Sequence, residues 1–151
     1  MSEYALILRC VMDTEETVFR DVRLPDDQLL QDTHRFLLSA FGLEEGEMAT
    51  FYLTDDEWNV LDEIPMFDFE GKGGRSMENT AVGELMDSPG DKIVWVADLF
   101  NMRSFLIELL RLEEWKGGQG EVLVQLGDVP PASPINIDLP ESDQEEGTEL
   151  L

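Results

Sequence analysis

Apart from its carboxylates, this 151-residue chain holds few residues that could carry acid-base, nucleophilic or metal chemistry. His34 is its only histidine and Cys10 its only cysteine, whereas Asp and Glu together number 34. One histidine cannot supply the several imidazoles of a zinc site or assist more than one candidate nucleophile. The sequence therefore predicts no catalytic residues, no metal site and no cofactor, and it favours a protein that is not an enzyme.

Each of these residues has a structural interpretation that accounts for it. Cys10 lies in the apolar run YALILRCVM, which favours a buried thiol over a nucleophile. His34 lies at the edge of an apolar helix face, which favours a partly buried, hydrogen-bonded side chain. The glycine-rich segment 71–75 lacks the spacing and the strand-to-helix setting of a phosphate-binding loop, so we predict a surface loop there.

The charge balance restricts the classes of partner. A net charge of −24 at pH 7 disfavours contact with nucleic acid, because phosphate binding needs clustered Lys and Arg. Anionic membranes are disfavoured for the same reason. An acidic surface suits a basic protein partner, since such a field steers association. No apolar run reaches the ~20 residues of a membrane span and no basic leader opens the chain, so we expect a cytoplasmic protein.

Composition predicts one folded domain and a tail. With 42% hydrophobic residues, the chain has enough apolar material for one core. From residue 128 onward it carries seven acids and no Lys or Arg, a composition typical of disorder. We therefore expect a domain over residues 1–127 and an acidic disordered tail over 128–151.

The stretch 29–41 predicts the main helix. Its apolar residues fall on one arc at 100° per residue, and its polar residues fall opposite. Asp26 is a candidate side-chain cap at the start, and Gly42 suits the left-handed residue that ends a helix. The expected buried side comprises Leu29, Leu30, Thr33, Phe36, Leu37, Ala40 and Phe41.

The remaining elements are mostly strands. Residues 4–12 and 16–24 predict an N-terminal β-hairpin, and further strands are expected at 47–54, 58–61, 92–99 and 121–126. A short second helix is predicted over 80–86 with Thr80 as its cap, after a long loop over 62–79. Residues 102–115 fit a helix or a strand equally well. The fold class is α+β, with one main helix packed on a mixed or antiparallel sheet.

The order of these features resembles the plasmid pRiA4b ORF-3-like family. In LLQDTHRFLLSAFGLEEGEMATFYL, the residues His34, Ala40, Gly42 and Phe51 match a family pattern of helix, glycine and strand. The later run KIVWVADLFNMRSFLIEL keeps the family's Asp as Asp98. The terminal LGDVPPASP is similar to the family's Gly and Pro-Pro ending. The chain departs from the pattern where the family often has Phe, Gly, Asp, Trp and His, at Leu99, Phe100, Asn101, Arg103 and Phe105.

The resemblance spans residues 4–131 and has consequences for fold and function. It implies an α+β domain in which 102–112 is a strand. The family is one without an established activity, and some members carry labels tied to mobile elements or recombination. The acidity of this chain gives no support to such a label, since DNA contact needs basic patches.

Three hypotheses on function follow from the sequence. The first is a non-catalytic binding or adaptor module whose acidic surface receives a basic protein partner. The second is a small-ligand-binding or hydrolytic domain with a cleft between the sheet and the 62–79 loop, lined by Trp58, Trp95 and Asp98. The third is a nucleic-acid mimic, which requires carboxylates spaced like phosphates on one face.

Overall fold

A computed structural model of the protein describes residues 4–46 and 48–130. It contains the predicted N-terminal hairpin, the main helix, the short second helix and the later strands, so the α+β class is confirmed. In chain order the elements are β1 Tyr4–Met12, β2 Phe19–Pro25, α1 Leu30–Phe41, β3 Thr50–Thr54, β4 Val60–Pro65, α2 Val82–Leu85, β5 Lys92–Asp98, β6 Arg103–Glu114 and β7 Glu121–Leu126.

The strands form one seven-stranded sheet in the order β4-β3-β5-β6-β1-β2-β7. Every pairing in it is antiparallel, as one of the two predicted alternatives required. Helix α1 packs on one face. The other face has no helix over it in the described part of the chain, and we call it the helix-free face. Antiparallel sheets tolerate this arrangement because their strands can alternate buried and exposed side chains.

The core lies between α1 and the strands in the middle of the sheet. Trp95 of β5 and Phe105 of β6 are cross-strand partners with ring centroids 4.7 Å apart. Phe41, from the last turn of α1, lies 4.5 Å from the Phe105 ring. These three side chains are buried. Aromatic pairs at such distances add stability beyond the area they bury, so they fix the C-terminal end of the helix over β5 and β6.

The segment before each helix caps the other helix through backbone carbonyl groups, so the predicted side-chain caps Asp26 and Thr80 are wrong. In neither helix does the side chain of the N-cap residue make a capping hydrogen bond, although the Glu84 carboxylate accepts from the Ala81 amide at the start of α2. The amides of Leu30 and Gln31 donate to the carbonyls of Thr80 and Met77, at 2.9 and 3.1 Å. In return, the amides of Val82 and Gly83 donate to the carbonyls of Gln28 and Asp26. Carbonyl groups from a distant segment thus satisfy the free amides that a side-chain cap would otherwise satisfy.

Two glycines are needed for this arrangement of α1. Gly42 has φ +68° and ends the helix in the left-handed conformation, as predicted. At Gly83, a β-carbon would lie 2.6 Å from the Asp26 carbonyl oxygen. Only glycine therefore allows the start of α2 to approach the segment before α1 this closely.

Several predicted boundaries differ from the structure. Strand β4 continues to Pro65, so the loop predicted over 62–79 begins at 66, four residues later than predicted. The ambiguous 102–115 stretch is the long strand β6, as the family resemblance implied. Residues 128–130 contact the domain, because Val129 packs against the core and the Pro130 carbonyl accepts from Arg103. The rest of the predicted tail, 131–151, lies outside the described residues.

A buried arginine joins the end of the helix to two strands. Arg20 of β2 is 4% exposed, and its guanidinium carbon lies 4.8 Å from the Phe41 ring centroid. Its Nε donates to the Ala40 carbonyl at 3.0 Å. Its Nη1 contacts the carbonyls of Phe19, Leu126 and Gly127 at 2.9 to 3.0 Å. Burial lowers the pKa of Arg20, and the nearby carboxylate of Asp128 opposes that effect.

We expect Arg20→Met to lower the free energy of unfolding by about 3 kcal/mol, because it leaves buried carbonyl groups without donors. For a chain of this size, that loss corresponds to a fall in Tm of roughly 10 °C. Urea titration and calorimetry measure both. The control is Arg35→Met, which removes an exposed pair with Asp32 and should cost less than about 1 kcal/mol. Equal losses for the two variants would contradict the role assigned to Arg20.

Candidate functional site

The structure does not bring the three predicted cleft residues together. Trp95 is fully buried in the core. Trp58 lies at the β3–β4 turn, where the Lys92 ammonium is 5.7 Å from its ring centroid. Asp98 ends β5, the strand that Lys92 begins, and the ends of a seven-residue strand are about 20 Å apart. The three residues therefore belong to the core and to opposite ends of the sheet.

Trp95 and His34 connect the core to the segment after α1. The Trp95 indole N–H donates to His34 Nδ1 at 3.0 Å, and His34 Nε2 lies 2.9 Å from Glu45 Oε2. Because Nδ1 accepts, the ring proton lies on Nε2 and is donated to the Glu45 carboxylate. Both ring nitrogens are thus engaged, and His34 is 3% exposed. This geometry agrees with the structural interpretation of the histidine.

The only cysteine is also a core residue. Cys10 is fully buried on the helix-facing side of β1. Burial raises the pKa of its thiol well above the ordinary value, with a smaller contribution from the charge of Asp21. A protonated, inaccessible thiol is not a nucleophile.

Glu45 leads to a surface cavity of about 340 Å³ between the segment after α1 and the β5–β6 hairpin. We call it the acidic pocket. Three carboxylates contribute to its wall, from Glu44, Glu45 and Asp98. The remaining lining residues are Gly42, Leu43, Ala97, Asn101 and Arg103. A shallower cavity of about 260 Å³ adjoins it and shares Glu45, Asp98 and Asn101.

Asp98 shapes the wall of the acidic pocket by closing the β5–β6 turn. Its Oδ1 accepts from the amides of Phe100 and Asn101, at 3.0 and 3.3 Å. Its Oδ2 accepts from the Asn101 side chain at 2.6 Å. At Gly46, a β-carbon would lie 2.8 Å from the Asp98 carboxyl carbon. The absence of a side chain at Gly46 therefore lets the two walls of the pocket meet.

Two large apolar side chains project from the same turn. Phe100 is 57% exposed and Met102 is 67% exposed. Met102 also has φ +52°, a left-handed conformation that costs a non-glycine residue about 1–2 kcal/mol. Below them Arg103 donates to the Pro130 carbonyl, while its buried Nη1 has no partner among residues 4–46 and 48–130. The turn thus combines exposed apolar surface, backbone strain and an unpaired donor.

Sequence reasoning identified only Asp98 in this region. Glu44 and Glu45 follow the helix-ending Gly42 after one residue, Leu43, and Phe100 and Met102 occupy a turn, so a signal was present. The missing information was spatial, because only the strand order places the β5–β6 turn beside the end of α1.

A second cleft lies where the sequence placed one, between the sheet and the loop that follows β4. Its volume is about 390 Å³, and its lining includes Met48, Phe67, Phe69, Arg75 and Leu99. None of the three predicted residues lines it. The glycines of this loop do not form a phosphate cradle, because the amides of Gly71 and Gly73 donate to the Asp68 carboxylate. These hydrogen bonds lower the pKa of Asp68.

Two further observations concern metal ligands and membrane spans. In the described ranges, no three His, Cys, Asp or Glu side chains are grouped as metal ligands. Neither described helix has the length and hydropathy that a membrane span requires.

The seven-stranded antiparallel sheet with one main helix, and the acidic pocket at one end, define an α+β domain with a carboxylate-lined pocket. The chain belongs to the plasmid pRiA4b ORF-3-like protein family, whose model matches residues 7–131. This result confirms the resemblance inferred from the sequence.

The fold has a counterpart among solved structures. The chain is similar to a protein of unknown function from Methanosarcina mazei Go1, with a TM-score of 0.68 and 14% sequence identity. The similarity covers 83% of this chain and 71% of that one. At this identity the likeness concerns the fold. No match is found among curated proteins.

We expect His34→Leu to lower the free energy of unfolding by about 2 kcal/mol, because the buried Trp95 N–H loses its acceptor. Urea titration followed by tryptophan fluorescence measures this loss. Glu45→Gln is the matched control, since its amide oxygen still accepts from His34 and the site is half exposed, so its cost should stay below about 1 kcal/mol. Similar costs for both variants would show that the bond from Trp95 contributes little.

Proposed function

We propose that the protein is a non-catalytic binding module that receives a basic segment of a protein partner at the acidic pocket. The observation that carries the proposal is the position of the pocket, whose three carboxylates adjoin a turn with two exposed apolar side chains. Phe100 lines the adjoining cavity, and Met102 lies between the pocket residues Asn101 and Arg103 in sequence. A lysine or arginine of the partner fits such a site, because its charged head meets the carboxylates while its aliphatic stem covers apolar surface.

The charge distribution supports a cationic partner. Five of the ten Lys and Arg residues, all of which lie in the described ranges, pair with the protein's own acids, as Arg9 does with Asp21 and Arg111 with Glu113. Arg103 is the one cation that lines the acidic pocket. A net charge of −24 attracts basic partners over a distance, and a partly enclosed acidic site concentrates that field.

The exposed apolar residues support a macromolecular partner. Binding energy in protein interfaces concentrates in a few large side chains surrounded by polar contacts. Phe100 and Met102 have the size and position for such a contact, and methionine adapts to varied partners. The strain at Met102 also favours a role in binding, because a glycine would relieve it at no cost to the turn.

Two other functions have less support. The cleft of about 390 Å³ with Phe67, Phe69 and Arg75 suits a small ligand with an apolar body, so ligand binding is the second candidate. Mimicry of nucleic acid needs acids along one face, whereas exposed acids occur at both ends of the sheet. Asp56 and Glu57 lie at the β3–β4 turn, opposite the end that carries Glu44.

A pull-down from the native cell lysate with paired charge variants tests the proposal. Glu44→Gln/Glu45→Gln removes two carboxylates of the acidic pocket, and Asp56→Asn/Glu57→Gln removes two at the opposite end. Both variants change the net charge equally. We expect the first to reduce the retained basic protein about tenfold and the second to leave it within about twofold.

Salt supplies the second arm of this experiment. Retention by the unchanged protein should fall as sodium chloride is raised from low to high concentration, because screening weakens exposed charge pairs. Equal retention by the two charge variants, or retention that does not change with salt concentration, would contradict the assignment of the acidic pocket as the binding site.

We expect Met102→Gly to separate stability from binding. Relief of the left-handed strain should raise the free energy of unfolding by about 1 kcal/mol, while loss of the exposed side chain should weaken retention of the partner. Urea titration and the same pull-down measure the two effects. Ser104→Gly lacks any such strain to relieve, so it should not be stabilising. Unchanged retention by Met102→Gly would remove that side chain from the proposed interface.

A further inference from the structure

The two edges of the sheet differ in how they are protected. Edge strand β4 carries Asp62, Glu63 and Pro65, and charges and proline are the usual means of blocking an edge. Edge strand β7 has the sequence EVLVQL, and all six of its residues are exposed. It contains no proline, no lysine and a single charge, from Glu121. One edge is therefore blocked, and the other is open to pairing.

The outer side of β7 has the features of a strand-docking edge. No further strand pairs with it in the described part of the chain, so its outward amide and carbonyl groups have no ladder partner. Its apolar side chains occupy both faces, because Val122 is opposite Val22 of the core and Val124 is opposite Asp21 on the helix-free face. Added strands gain affinity from backbone hydrogen bonds and specificity from alternate side chains.

A row of apolar residues on the helix-free face ends at this edge. Its members are cross-strand neighbours in the register of the sheet. A strand added to β7 would place its own apolar side chain next to the last of them. From β3 to β7 the row consists of Tyr52, Val94, Leu106, Val11, Phe19 and Leu126.

We infer that an extended segment of the basic partner pairs with β7 as an eighth strand and then reaches the acidic pocket with a cationic residue. The segment has alternate apolar side chains flanked by Lys or Arg. This inference rests on the proposed function, since it supplies the binding mode of the same partner. It adds a second contact surface, the outer edge of β7.

The path from β7 to the acidic pocket is short. Arg20 donates to the carbonyls of Leu126, the last residue of β7, and of Gly127. It also donates to the carbonyl of Ala40, two residues before Gly42 of the pocket. The chain itself goes from Leu126 to Pro130, whose carbonyl accepts from Arg103 of the pocket. Four residues span at most roughly 14 Å. One extended peptide can therefore contact both surfaces.

Charge favours a basic segment at the edge of β7 over two other occupants, a second copy of the protein and the chain's own residues 131–151. A second copy of the protein would bring another net charge of −24 to the edge. The chain's own residues 131–151 carry six acids and no Lys or Arg. Glu121 and Asp128, both exposed, lie at the two ends of the strand. Like charges directly opposite each other destabilise strand pairs, whereas opposite charges stabilise them.

The two edge strands offer a matched pair of test sites. Each edge strand has one residue without a cross-strand partner, at a bulge. In β7 this residue is Leu123, which lies between the partners of Asp21 and Val22. In β4 it is Leu61, which lies between the partners of Leu53 and Thr54. Proline is accepted at such bulges and blocks the addition of a strand. Leu123→Pro is therefore the test variant and Leu61→Pro the control, and neither changes the charge.

The experiment titrates the full chain with the peptide acetyl-KVKVTVKVK-amide and follows hydrogen exchange of the backbone amides by NMR. We expect the peptide to slow exchange of outward amides in 121–126 and to shift the signals of 44–46 and 98–103. Leu123→Pro should weaken binding about tenfold and Leu61→Pro by less than about twofold. The same peptide with Glu in place of Lys should not bind.

Each other outcome has a defined meaning. If the peptide shifts 44–46 and 98–103 but leaves exchange at 121–126 unchanged, strand addition is wrong and the proposed function stands. If the peptide slows exchange at 121–126 but the Glu44→Gln/Glu45→Gln variant binds the peptide as well as the unchanged chain does, the acidic pocket is not the second contact surface. If the amides of 121–126 are protected without peptide, the inference is wrong. Protection that rises with protein concentration would identify a second copy as the occupant, and protection independent of concentration would identify residues 131–151. Protection by peptide in the unmodified chain decides the question if Leu123→Pro fails to fold.

Discussion

The buried guanidinium of Arg20 is the interaction on which the arrangement of this domain depends. It donates to carbonyls of α1, β2 and the end of β7, and it lies against the Phe41 ring. A buried charge is costly unless its donors are satisfied, so the helix end and the last strand must meet around it. This constraint fixes where the segment after Gly42 begins, and hence where Glu44 and Glu45 lie. It also sets the end of the open edge strand next to the acidic pocket.

The acidity of the chain affects how its exposed apolar surface behaves. Apolar side chains at Phe100 and Met102 and along β7 would favour self-association in a neutral protein. A net charge of −24 opposes contact between copies but not contact with a cationic chain. Under the proposed function, acidity and exposed apolar surface together select partners by charge while keeping interface residues available.

Much of the fold follows from patterns that are local in sequence. The arc of apolar residues in 29–41 and Gly42 defined α1, and β-rich runs located most of the strands. Residue patterns alone left β6 undecided, and the family resemblance identified it as a strand. Long-range features were not predictable. The helix caps are carbonyls of Thr80 and Met77 rather than side chains, and Trp95 faces α1 rather than a cleft because of its register with Phe105. The candidate site depends on strand order, which no local pattern contains.

Carbodiimide coupling in native lysate detects contact between the acidic pocket and a partner, because it joins carboxylates to lysine amines only where the two are in contact. After digestion, mass spectrometry identifies which carboxylates have reacted. We predict cross-links from Glu44 and Glu45 to lysines of a partner protein, and their loss at high salt. Cross-links confined to the opposite end of the sheet, at Asp56 or Glu57, would contradict this prediction, as would coupling at Glu44 and Glu45 that persists in high salt.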